Sequence, residues 1–366
     1  MLRTLIRSAE AELGARLVRT CLAFALLGLL ALFVAPFARV PAAAFAALAA
    51  SWLFFAGLAA GGVALSAAAR LAYGRFLEPA LPLAESPAAF FPAALVLLAV
   101  VLAAAPRWMP PASHATVAGL FIRDFGAAVV LFTAGAWFLR GSARGRWAGT
   151  QTPLAAVAYL IVYALALSVW AIDLVMALID SAPSGIVPVQ TFMAAFLSAV
   201  AWATLLSARR HLDPVVRLDL GRLLYGFASF WAYLVWCSFL PVWYANLPDE
   251  VGEILNRVEG HWALLSWGVI VATFVVPFVA LLSEAAKRNR ILVGLGATSV
   301  LGGLYAERFL LVVRPVSPGG GGRALLFGAA VAAGVAGAFT VIVGARLARS
   351  RTVPAAREPG PAFARR

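Results

Sequence analysis

The chain has 366 residues, 63% hydrophobic and 12% charged, with a mean hydropathy of +0.93 and a formal net charge of +13. So little polar surface excludes a water-soluble globule and leaves an all-α polytopic membrane protein. In that class an excess of Lys and Arg marks loops that face anionic lipid, so the basic balance does not point to a nucleic-acid partner.

Residues 1–19 read as an amphipathic basic lead, with Leu and Ile at helical spacing and Arg3, Arg7, Arg16 and Arg19 between them. Such a segment lies on the cytoplasmic membrane surface. A transmembrane domain over 20–347 follows, with ten spans at about 20–37, 42–69, 88–106, 115–139, 152–178, 188–208, 220–245, 262–283, 291–313 and 323–347. The first span reads as a retained helix rather than a cleaved signal peptide, because its basic lead and apolar core are both long. Residues 348–366, rich in Pro, Arg and Ala, read as a disordered basic cytoplasmic tail.

An even number of spans puts both termini on one side. Of the 29 Lys and Arg, 21 fall on the side of the termini and 5 on the other, with Arg346 and Arg323 at the ends of the last span counted with the tail and the preceding loop, and 3 lie deeper within spans. By the positive-inside rule both termini are cytoplasmic. Two cysteines, Cys21 and Cys237, stand alone in apolar runs and form no metal or iron–sulfur motif. The three histidines, His114, His211 and His261, sit at span ends and make no facing pair for a haem. The chain thus shows no electron carrier of its own and no metal ligand set.

Span seven runs outward and ends in an aromatic, acidic mouth, with Trp243, Tyr244, Asn246, Asp249 and Glu250. Trp and Tyr favour such interfaces. Together with His114 and His261 at outer span ends, Trp243, Tyr244 and Asn246 are candidates for rim hydrogen bonds. Within the spans stand Arg123, Asp124, Asp173, Glu307 and Arg308, all in the outer half. An unpaired charge at the bilayer centre costs on the order of 3 kcal/mol, so each needs a partner or a wet cavity. Two readings stay open: Arg123 ties Asp173 or Glu307 as glue between helices, or the group lines an outward polar cavity for a quinol headgroup or protons. Asp219, Arg222 and Glu284 mark a possible inner half-channel.

Four stretches carry a family resemblance: AIDLVMAL (171–178), FWAYLVWCSFLPVWYANLPDE (230–250), HWALLSWGVIVATFVVPFVALLSEAAKR (261–288) and LYAERFLLVVRP (304–315). They resemble the F subunit of bacterial alternative complex III, within the NrfD-like (polysulfide-reductase) membrane family. The resemblance implies ten helices with two four-helix bundles and both ends cytoplasmic. It further implies a heme-free integral subunit of a quinol:cytochrome c oxidoreductase in the bacterial cell inner membrane. There it would anchor the complex beside a C subunit and iron–sulfur and cytochrome c subunits. No covalent or metal-ligated cofactor is implied, and quinone or menaquinone is the implied small molecule. The chain departs from the family at IDSAPSGIVPVQTF (179–192), which lacks the usual His-Trp-Tyr segment, and at Glu307, where Asp is more frequent. The alternatives are a ten-helix secondary transporter of the drug/metabolite type and the membrane anchor of another molybdo-enzyme quinol dehydrogenase.

Overall fold

The computed structural model describes residues 2–110, 116–143, 151–179, 184–210, 212–245, 251–252, 255, 258–319 and 321–351. Among them there is no strand, and ten helical stretches are long and apolar enough to cross a membrane. In order these are Ala15–Val34, Pro41–Leu71, Leu81–Ala103, Val117–Ser142, Pro153–Leu178, Ile186–Arg209, Pro214–Ala245, Gly260–Ala280, Arg290–Val316 and Gly322–Arg349. The protein is therefore an all-α, multi-pass membrane protein. A separate amphipathic lead helix, Leu2–Leu13, precedes span one.

Span two organises the packing because its sequence is mostly Ala and Gly, which lets neighbouring backbones come close where no hydrophobic effect drives helices together. A Cβ placed on Gly61 would lie 2.3 Å from the Ala195 carbonyl oxygen of span six, and one on Gly62 would lie 2.0 Å from that of Ala84 in span three. Only Gly permits these approaches. Span two touches spans three, five, six, nine and ten, and its Trp52 is fully buried with its indole N–H on the Ala94 carbonyl (2.7 Å).

Around this axis the helices sort into two groups of four. Spans two to five close on one another in a ring, each packing on the next and span five returning to span two. Spans six to nine repeat that wiring, and span one pairs with span ten outside both groups. Because consecutive spans alternate in direction, the two groups run the same way through the membrane. Glu12 in the last turn of the lead helix ion-pairs with Arg210 at the end of span six (2.6 Å), and Arg210 also reaches the Leu347 carbonyl of span ten (3.5 Å). These contacts put both ends of the described chain on one face, called the terminal face below.

Four spans are not uniform helices, span five ending in a 3₁₀ turn over Met176–Leu178. Span three begins as Leu81–Glu85, tightens to a 3₁₀ turn over Ser86–Phe90 and continues as Phe91–Ala103. It starts about seven residues earlier than the sequence suggests, because Pro87 reads as a helix start while the chain is already helical. Spans four and eight each contain a wide π turn, at Phe121–Phe125 and Val271–Val275.

Candidate functional site

The π turn of span four lies one helical turn in from the non-terminal face. A π turn carries an extra residue, which turns neighbouring side chains to different sides and frees a backbone carbonyl. Arg123 points toward span five and grips Asp173 as a fork, Nε to Oδ2 at 2.8 Å and Nη2 to Oδ1 at 3.0 Å. The Asp173 side chain is 12% exposed and that of Arg123 52%, so the pair reaches from the interior to the rim. The freed carbonyl of Asp124 accepts the indole N–H of Trp170 (3.2 Å), three residues before Asp173 on the same helix face.

Asp124 itself turns inward. It is completely buried, no donor among the described residues reaches either carboxyl oxygen, and the Asp173 carboxylate lies close enough to share a proton with it. Its nearest charges are those of Asp173 and Arg123. Buried polar groups are almost always paired, because an unsatisfied one costs on the order of 1–3 kcal/mol and a charge more. An orphan carboxyl beside a forked ion pair is thus the chemically distinctive feature of this half of the molecule.

A second group lies between spans six, seven and nine. Glu307 accepts the indole N–H of Trp231 (3.1 Å) and pairs with Arg308 (3.5 Å), whose other nitrogen donates to Thr191 (3.3 Å). Arg308 also lines a cavity of about 10 Å³ between spans two, five, six and nine, together with Trp170, Thr191 and Ser198. That is room for about one water. Trp170 therefore touches both groups, the first through the Asp124 carbonyl and the second across the cavity. A broader groove of about 420 Å³ opens between spans nine and ten, ringed by Phe54, Phe55, Trp202, Tyr305 and Phe339.

The sequence candidates thus fall into two interior groups, Arg123–Asp124–Asp173 and Glu307–Arg308. Asp219, Arg222 and Glu284 form a third set on the terminal face, Arg222 bonding both carboxylates. That set is a surface network, with the Arg222 and Glu284 side chains 52% and 64% exposed. Arg222 holds the Glu284 carboxyl below its ordinary pKa, chiefly through their hydrogen bond. His261 is exposed at the start of span eight, and Trp243 and Tyr244 are exposed at the end of span seven. His114, Asn246, Asp249 and Glu250 lie outside the described residues.

Sequence reasoning misses Trp170, Trp231, Thr191 and Glu85. The three-residue spacing of Trp170 and Asp173 is the available signal for the first. Glu85 falls outside the expected third span. No family model matches the chain, and no curated protein matches it in sequence.

Proposed function

We propose that this chain is a heme-free integral subunit of a bacterial inner-membrane quinol:cytochrome c oxidoreductase of the alternative complex III type. In this reading the terminal face is cytoplasmic, and the subunit anchors the iron–sulfur and cytochrome c subunits beside a C subunit. Its Arg123–Asp124–Asp173 group takes up and releases quinol protons near the opposite face. The observation that carries the reading is the orphan, fully buried carboxyl of Asp124 at a π turn, a wide turn often found at functional sites. Intramembrane carboxylates with a basic neighbour are the usual elements of proton relays.

The chemistry divides among three side chains. Arg123 fixes Asp173 in one orientation through both oxygens, leaving Asp124 as the carboxyl with acceptor capacity to spare. Trp170 holds the Asp124 backbone in the wide turn and so keeps that carboxyl beside the ion pair. The ring-lined groove between spans nine and ten has the size and apolar lining of a site for a lipid-soluble quinone. A drug/metabolite transporter would instead be built from inverted repeats. Two four-helix groups that run the same way weigh against that alternative.

The test is Asp124→Asn and Asp173→Asn in the assembled complex. Quinol oxidation and proton release should fall at least tenfold with assembly intact, a loss typical of a missing acid–base group. Wild-type values for both variants would reduce the group to a structural tie.

A further inference from the structure

We propose that Glu85 is the carboxyl through which the protein exchanges protons with water on the terminal face, in place of the Asp219–Arg222–Glu284 network. The inference rests on the proton-handling reading above. Glu85 closes the first segment of span three, where the helix tightens into the 3₁₀ turn. Its Oε1 accepts the Ser66 hydroxyl at 2.5 Å, and the Arg70 guanidinium stands 3.8 Å from the same oxygen. Arg70 in turn donates from Nε to the Ser66 oxygen (3.4 Å). The charged groups that act on Glu85 are Arg70 of span two and Arg346 of span ten.

Two features set this carboxyl apart from the exposed network. The Glu85 side chain is 23% exposed, so it is open on one side and enclosed by helices on the others. The next residue, Ser86, accepts the indole N–H of Trp202 in span six (3.2 Å), and Trp202 walls the groove between spans nine and ten. Glu85 itself bonds Ser66 and pairs with Arg70, and it stands one residue from Ser86, which holds this wall of the broad groove. Arg222 and Glu284 are exposed and do not line that groove. The step moves no electron: a proton from the water on the terminal face adds to a Glu85 carboxylate oxygen, passes on into the protein, and is balanced by one released with the quinol protons at the opposite face.

The experiment uses the complete complex in liposomes, with the pH dye pyranine in the water on the terminal face and quinol and cytochrome c as reactants. Glu85→Gln should slow dye-detected proton uptake about tenfold while the complex still assembles. Glu85→Asp should restore most of the uptake, and the Asp219→Asn/Glu284→Gln double variant should leave it unchanged. Should Glu85→Gln not assemble, Ser66→Ala keeps the carboxyl and removes its hydroxyl donor, and a severalfold slowing is expected. Normal uptake in Glu85→Gln or Ser66→Ala together with impaired Asp173→Asn overturns the assignment of Glu85 and leaves the proposed function standing. Normal uptake in Asp173→Asn as well overturns both.

Discussion

The two four-helix groups share one device and build it differently. In each, the third helix carries a π turn and the fourth helix donates a side-chain hydrogen bond to a carbonyl of that turn or its edge. In the first group Trp170 donates to Asp124, and in the second Ser299 donates to Ala272 (2.7 Å). The cause of the wide turn differs. Span eight has Pro277 two residues after its turn. A proline lacks an N–H and its ring collides with the carbonyl four residues back, here that of Thr273, so the helix must widen. Span four has no proline. Its turn is held by side chains, the Arg123–Asp173 fork and the Trp170 bond, and it is the one that carries charge. A distortion without a local backbone cause, kept in place by charged groups, is the one that points to function.

The sharpest way to break this comparison is at the glycines beside the two turns. A Cβ on Gly303 would lie 2.2 Å from the Thr273 hydroxyl oxygen and 2.9 Å from its backbone nitrogen. Thr273 is β-branched and stiff, so Gly303→Ala should cost about 3 kcal/mol, the upper part of the overpacking range. A Cβ on Gly126, next to the span-four turn, meets nothing within 4 Å. Gly126→Ala should be neutral or gain up to about 1 kcal/mol from helix propensity. Unfolding in mixed detergent micelles reads both. Equal costs would mean that packing, not charge, shapes the two turns alike.

The next effect tests the charge. Removing one partner of a buried ion pair typically costs about 3–5 kcal/mol, but the exposed arginine end lowers that here. Arg123→Gln should therefore cost about 2 kcal/mol, and Arg123→Gln/Asp173→Asn less than the sum of the single changes. Additive costs would show that the fork contributes nothing as a pair. Smaller again are the two bonds to the freed carbonyls. Trp170→Phe should cost about 1 kcal/mol, while Ser299→Ala should cost about 0.6 kcal/mol, the mean for hydrogen bonds between membrane helices. The indole also packs edge-on against Trp52, with ring centroids 4.6 Å apart. A larger loss at Ser299 would reverse the ranking of the two turns.

Much of this architecture is legible in the residues alone. Apolar runs of spanning length fix the number of helices, and Arg123 and Asp173 stand out because charge inside a span demands a partner. Other parts are hidden for physical reasons. Periodicity does not report which indole meets which carbonyl, because Trp170 and Trp231 look like ordinary core or belt residues until the partner helix is known. The wide turn of span four has no sequence mark, whereas that of span eight has Pro277. Glu85 is concealed by Pro87, a normal helix-start residue that here sits inside a continuing turn. Nearness in sequence pairs Asp219 with Arg222 but says nothing about exposure, and the structure leaves the Arg222 side chain half-exposed.

That exposed set gives the smallest effect and a pH test of the distinction between interior and surface charge. Arg222 depresses the Glu284 pKa in the folded protein. A carboxyl with a lowered folded-state pKa adds stability that is fully present above its unfolded value, about 4.3 for Glu. As pH falls through the depressed value, both states become protonated and the contribution disappears. The stability difference between wild type and Glu284→Gln should thus be small at neutral pH, vanish in strong acid, and shrink with added salt, because exposed pairs are screened. Thermal unfolding of both proteins from neutral to about pH 3 measures it, with the window set by the lowered Glu value. A difference that grew on acidification, or ignored salt, would mean that Glu284 is buried in the working protein, and the line drawn here between surface network and interior site would have to move.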